Sequence, residues 1–97
     1  MKLVSLNAWG GKAFKPLIDF LKEKSGDTDI FCFQEVFHTS SGTTETHGAR
    51  ANLYHEISLA LSDFQGYFAP SQDRIDYAGT VNFELSLGKA TFIKKNL

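Results

Sequence analysis

The sequence holds a single cysteine, Cys32, so no internal disulfide can form. One cysteine and three histidines, none of them paired at ligand spacing, also exclude a conventional zinc site. No apolar run approaches the roughly 20 residues of a membrane span. Lys2 is not followed by the apolar segment of a signal peptide. Neither sign of charge dominates: Lys+Arg number 10 against Asp+Glu 11, a net charge of -1. The basic surplus that marks many nucleic-acid surfaces is therefore missing, although the charge of one local site can differ from the total. No internal repeat, low-complexity tract or linker interrupts the chain. These absences lead to the expectation of a small soluble cytoplasmic protein with no stable membrane insertion.

What is present is ordinary for a folded chain: 42% hydrophobic and 22% charged residues over 97 positions, with nine phenylalanines. Two apolar stretches stand out, each ending in polar chemistry. Leu3-Val4-Ser5-Leu6-Asn7 reads as a strand over residues 2–7, closed by Gly10-Gly11. Asp29-Ile30-Phe31-Cys32-Phe33-Gln34-Glu35-Val36 reads as a second strand over residues 29–36. Its unbroken run Ile30 to Phe33 does not alternate with polar residues, which predicts cover on both faces and a buried Cys32. Trp9 reads as either a core anchor or the wall of a pocket, with the core the preferred reading.

Between the strands, Phe14, Leu17, Ile18 and Leu21 recur at i, i+3, i+4, i+7 and predict a helix over residues 14–24, with Gly26 as its C-terminal cap. Strand, helix and strand at this spacing make a βαβ unit with parallel strands. Ligands bind at the carboxyl ends of such strands, which is where Asn7 and Glu35 emerge together.

Further along, residues 38–48 read as a long polar loop and residues 49–63 as a second helix whose stripe runs Leu53, Ile57, Ala60, Leu61 and Phe64. A short strand is expected at Tyr67-Phe68-Ala69, a polar loop over 71–78, a strand or ordered loop from Thr80 to Leu87, and a firmer strand at Ala90-Thr91-Phe92-Ile93. Two helices can cover one face of the resulting sheet, and nothing is left to cover the other. The chain therefore reads as the first part of a larger domain.

Glu35 carries the chemistry. A carboxylate at the end of an apolar strand needs a cation, hydrogen-bond donors or water. Mg2+ takes hard oxygen ligands, and one or two carboxylates with substrate phosphate and water suffice. The amide of Asn7 could orient a phosphate oxygen or a metal-bound water, or it could simply satisfy the turn before Gly10-Gly11.

The same stretches, Leu3 to Gly10 and Asp29 to Val36, resemble the opening of the endonuclease/exonuclease/phosphatase superfamily. This group has the DNase I-like fold and includes apurinic endonucleases, sphingomyelinases, deadenylases and inositol polyphosphate phosphatases. The match falls on Asn7, Gln34 and Glu35, and Gly88-Lys89-Ala90-Thr91-Phe92-Ile93 looks like the next core strand. The resemblance implies an α/β fold with a mixed sheet and helices on one face, the N-terminal part of a four-layer sandwich. It implies Glu35 as a metal ligand and Asn7 as a catalytic residue that helps hold the metal or the scissile phosphate. The implied cofactor is Mg2+ (or Mn2+), and the implied reaction is hydrolysis of a phosphate ester in a nucleic acid, a lipid headgroup or an inositol phosphate.

The family's later motifs are absent. Ser62-Asp63-Phe64 has Phe where the family's terminal motif has His, and Gly26-Asp27-Thr28-Asp29 is not an Asp-x-Asn motif. The expectation is thus a partial domain over residues 1–97, inactive alone. The alternative is a non-catalytic binding or interaction module that keeps the early motifs. An uncovered sheet face would favour self-association. His38, three residues past Glu35, sits where it could meet substrate, though a loop histidine is usually solvated. His47 reads as a solvated loop residue and His55 as helix packing, while Arg74 and Lys94-Lys95 are remote candidates for phosphate contact.

Overall fold

The computed structural model describes residues 1–96. Strand β1 (Leu3–Asn7) leads through a short 3-10 turn, Trp9–Gly11, into helix α1 (Phe14–Lys24), and the chain returns as β2 (Ile30–His38). Two small strands follow, β3 (Glu45–Thr46) and β4 (Ala49–Arg50), then helix α2 (Leu53–Ala60) and the long strand β5 (Phe64–Asp73). The two-residue strands β6 (Ile75–Asp76) and β7 (Gly79–Thr80) precede β8 (Ser86–Lys94). The main sheet is mixed, in the order β1-β2-β8-β5. β1 and β2 run parallel, as the βαβ reading requires, and β8 runs antiparallel to both its neighbours.

Both helices lie on one face of this sheet. Two rows of residues cross all four strands beneath them: Val4, Phe31, Phe92 and Gly66 in one, Leu6, Phe33, Ala90 and Phe68 in the other. Phe31, Phe33 and Phe92 are fully buried and close on Leu17 and Leu21 of α1 and on Leu53 and Ile57 of α2. Burying one such side chain contributes about 1.5–3 kcal/mol, whereas the Lys15–Asp19 pair on the outer side of α1 is exposed and screened by solvent. The apolar stripe, not the charge pattern, therefore holds α1 in place.

The alternate residues face the other way: Leu3, Ile30, Ile93 and Gln65, then Ser5, Cys32, Thr91 and Tyr67. Leu3 is 56% and Tyr67 58% exposed, and this face has no layer above it among the described residues. The run Ile30 to Phe33 is thus buried on one side only. Cys32 is half-buried on the open face and is not part of the core. Beyond the helices, Phe37 packs with Ala49, Ala51 and Leu85 in a second small cluster, which covers the carboxyl end of β2.

Several expectations need correction. Helix α2 occupies only Leu53–Ala60 of the expected 49–63, because Ala49–Arg50 pairs with Glu45–Thr46 and Phe64 opens β5. Phe64 is buried as a strand residue against Phe31, so Ser62-Asp63-Phe64 lies at a helix-to-strand turn and not in a helical stripe. The polar segment 71–73 continues β5, because its backbone pairs with β8 whatever its side chains prefer. Gly26 does not cap α1 in a left-handed conformation; Ser25 closes the helix on the Leu21 carbonyl at 2.9 Å. His55 is exposed and does not pack between helix and sheet. No helix among the described residues is long and apolar enough to cross a membrane.

Candidate functional site

A β-bulge in β2 builds the site. Phe33 stands opposite Ala90 and Val36 opposite Gly88, so Gln34 and Glu35 together oppose the single residue Lys89. The extra residue restores the facing of the chain: Phe33 and Val36, three apart, both reach the helix-side core. Glu35 absorbs the irregularity in a left-handed conformation, φ 56°, which a non-glycine residue rarely adopts. Its side chain is thereby thrown out at the carboxyl end of the sheet, beside Asn7.

The two expected site residues meet directly. The Asn7 amide Nδ2 donates to Glu35 Oε2 at 2.7 Å. The Asn7 carbonyl Oδ1 accepts from the Trp9 backbone N–H at 2.7 Å, which fixes which way the amide faces. Both ends of Asn7 are thus engaged, one with the turn and one with the carboxylate. The second Glu35 oxygen, Oε1, accepts from the Tyr77 hydroxyl at 2.6 Å. The Tyr77 hydrogen bond and then the Asn7 amide hold the Glu35 carboxyl below its ordinary range; partial burial opposes them and the Lys12 ammonium assists. Glu35 is therefore an anion at neutral pH. A single carboxylate with open lone pairs, backed by an amide, fits a hard divalent cation that keeps most of its own water, and no cluster of three or more acidic, histidine or cysteine ligands exists among the described residues.

Tyr77 and Lys12 were not legible as site residues. Tyr77 lies 42 residues beyond Glu35 in a polar segment and reaches it only because β6 and β7 fold back over β2. Its ring stands edge-on to Phe37, with centroids 5.4 Å apart. Lys12 Nζ lies 4.4 Å from the centre of the Tyr77 ring and 5.1 Å from that of Trp9. Trp9 is 55% exposed and lines a cavity, so of its two expected roles it takes that of a pocket wall and not the preferred one of a core anchor. Between Trp9, Pro16, Leu17 and Phe20 lies an open, mostly apolar cavity of about 420 Å3 that adjoins Asn7. Gly10 lets the turn pass beneath Tyr77: its φ is +60°, and a Cβ there would sit 2.6 Å from the ring.

A second polar cluster supports Tyr77 from behind. The buried Asp76 Oδ2 accepts from Thr46 Oγ1 at 2.6 Å and meets His47 Nδ1 at 2.6 Å, tying β3–β4 to β6–β7. Asp76 Oδ1 accepts from the N–H groups of Ala78 and Gly79 at 2.8 and 3.2 Å, which fixes the turn carrying Tyr77. Burial pushes the Asp76 carboxyl up, but the Thr46 and His47 hydrogen bonds outweigh it and bring its pKa down to about 2. Asp76 holds the His47 imidazole above its ordinary value. His47 is thus a largely exposed loop residue, as expected, but one that also pairs with Asp76. The Asp76 contribution is present above its ordinary value of 3.8 and lost as the pH falls towards about 2. The His47 contribution is complete below its ordinary 6.5 and lost as the pH rises through the raised value of the folded state. Urea unfolding should therefore show greater stability at pH 5.5 than above the raised His47 value, and His47→Ala should flatten that difference.

The remaining candidates lie elsewhere. His38 is the last residue of β2, not a loop residue; its ring is held against Tyr54 and Phe68 at 5.2 and 5.4 Å and faces a separate cavity of about 450 Å3 with Arg74. Lys94 and Lys95 sit at the far end of the sheet, bonded to the Gly26 and Ser62 carbonyls at 3.3 Å, and cannot share a phosphate with Glu35.

No protein-family model matches the sequence, and no curated protein matches it. Solved structures do match the fold. One is the crystal structure of an endonuclease/exonuclease/phosphatase from Beutenbergia cavernae DSM 12333, with a TM-score of 0.70 at 10% identity over 94% of this chain. Another is an endonuclease/exonuclease/phosphatase family protein from Leptotrichia buccalis C-1013-b, with a TM-score of 0.56 at 21% identity over 96% of this chain. The chain spans 25% and 36% of those two proteins. At these identities the likeness establishes the fold, a mixed α/β arrangement of the DNase I-like kind.

Proposed function

We propose, from that shared fold as premise, that the chain is the N-terminal portion of a metal-dependent phosphoesterase acting on a phosphodiester or phosphomonoester. The observation that carries the reading is the convergence of Asn7 and Glu35, 28 residues apart, at the carboxyl end of two parallel strands. Glu35 would hold Mg2+ or Mn2+ with water and substrate completing the shell. When bound, the cation would draw electron density from the phosphoryl oxygens and stabilise the leaving oxygen. Asn7 keeps the carboxylate aimed through one Nδ2 hydrogen, and the second Nδ2 hydrogen would be available to a phosphate oxygen. Lys12, held between two rings, supplies positive charge beside the same point. The cavity next to Asn7 gives the non-reacting part of a substrate an apolar wall.

One carboxylate does not supply a base to activate water, so the rest of the machinery belongs to residues beyond these. The direct test is ester hydrolysis with added Mg2+ by the 97-residue chain and by the longer product of its reading frame. Turnover is expected only from the longer product. Turnover by the chain alone would overturn the partial-domain reading. A longer product inert towards nucleic-acid, lipid-headgroup and inositol phosphate esters, with Mg2+ or Mn2+, would sink the phosphoesterase reading and favour a binding module.

The face bearing Leu3, Cys32, Tyr67 and Ile93 would be covered in the complete protein. Left open, it should drive association of the isolated chain. Light scattering across a concentration series is expected to show oligomers, and Tyr67→Lys should return the chain towards monomer.

A further inference from the structure

We propose that Tyr77 is a positioning residue for the Glu35 carboxylate, holding it in the orientation that accepts a divalent cation. The inference deepens the reading above and rests on it. Glu35 projects from an irregular backbone at a half-exposed position, where a flexible side chain would otherwise sample several rotamers. Two hydrogen bonds remove that freedom, one to each oxygen: Asn7 at 2.7 Å and Tyr77 at 2.6 Å. A carboxylate offers roughly four lone-pair sites, so two donors leave room for a cation and its water.

Tyr77, although 38% exposed, is held by three neighbours. Phe37 stands edge-on to the ring, the Gly10 backbone passes beneath it, and Lys12 lies over it. Its backbone is fixed by Asp76, whose Oδ1 accepts from Ala78 and Gly79 while Oδ2 is held by Thr46 and His47. The arrangement matches the way metal-binding carboxylates are oriented by partners that do not touch the metal.

The test is Mn2+ binding by calorimetry, with the electron paramagnetic resonance signal of free Mn2+ as a second readout and thermal unfolding without metal as the structural control. Tyr77→Phe keeps the ring and its contacts and deletes the hydroxyl alone. It is expected to leave the melting temperature unchanged and to weaken Mn2+ binding about 10-fold. Asp76→Asn, which loosens the turn, should weaken binding in the same direction, and the double variant should lose no more than Tyr77→Phe. If Asp76→Asn does not fold, the Tyr77→Phe comparison decides alone. Wild-type affinity in Tyr77→Phe, with binding lost in Glu35→Gln, would overturn the positioning role and leave the metal site standing. A fall in affinity that only tracks a lowered melting temperature would also overturn it. No Mn2+ uptake by the wild-type chain, or full affinity in Glu35→Gln, would overturn the metal reading and this inference with it.

Discussion

Gly88→Ala is expected to lower the unfolding free energy by about 4 kcal/mol, a large share of the roughly 5–15 kcal/mol that holds a small domain. Gly88 lies in β8, the strand on which the sheet depends, with β2 on one side and β5 on the other. It stands opposite Val36 just past the bulge that exposes Glu35, and opposite Pro70 just before a register shift in β5. A Cβ at this position would lie 2.1 Å from the Ala69 carbonyl oxygen and 2.9 Å from the Pro70 Cα. These are backbone atoms, so no side-chain rotation relieves the contact, and the β5–β8 pairing must open. Chemical denaturation measures the loss. Gly26→Ala is the control: no atom lies within 4 Å of its Cβ position, and its φ is not left-handed. That variant should change stability by no more than about 0.5 kcal/mol. Equal effects at the two positions would mean that the close approach at Gly88 is not what the sheet depends on.

Glu35→Gln is expected to lower stability modestly, because its single oxygen cannot accept from both Asn7 and Tyr77, and to abolish divalent-cation binding, with affinity falling at least about 100-fold, beyond the range seen when only a ligand's supporting partner is lost. The substitution keeps the size of the side chain and an oxygen to accept from Tyr77. It removes the negative charge, which is what a hard cation needs. The left-handed backbone at Glu35 costs about 1–3 kcal/mol, and it belongs to the bulge that returns Val36 to the core while turning the carboxylate outward. Calorimetric Mn2+ titration of both chains at one pH reads the effect. Equal affinities would mean that Glu35 is only a solvated charge held by Asn7 and Tyr77.

The βαβ unit was legible because its signals are local. Phe14, Leu17, Ile18 and Leu21 recur at helical spacing, and the apolar runs Leu3–Leu6 and Ile30–Phe33 are bounded by turn residues. The resemblance at Asn7, Gln34 and Glu35 pointed to the edge of the sheet where the structure brings Asn7 and Glu35 into contact. The second half is less legible in its residues. Phe64 continues the apolar stripe of α2 in sequence, yet packs as the first residue of β5 against Phe31. Residues 71–73 look like a loop, but their backbone finds partners along β8. In both cases long-range pairing outweighed local preference, as it commonly does in sheets.

The sequence by itself determined the parallel pair with its crossover helix, the carboxylate carried by the second strand, and the lack of cover for one sheet face. Each follows from residue spacing and from the cost of leaving apolar or charged groups in the wrong environment. Only the tertiary structure decided how that carboxylate is held. The bulge at Gln34-Glu35, the Tyr77 hydroxyl and the Asp76–His47 brace behind it join segments tens of residues apart. No periodicity encodes such contacts, because they depend on how β3–β4 and β6–β7 fold back over the end of β2.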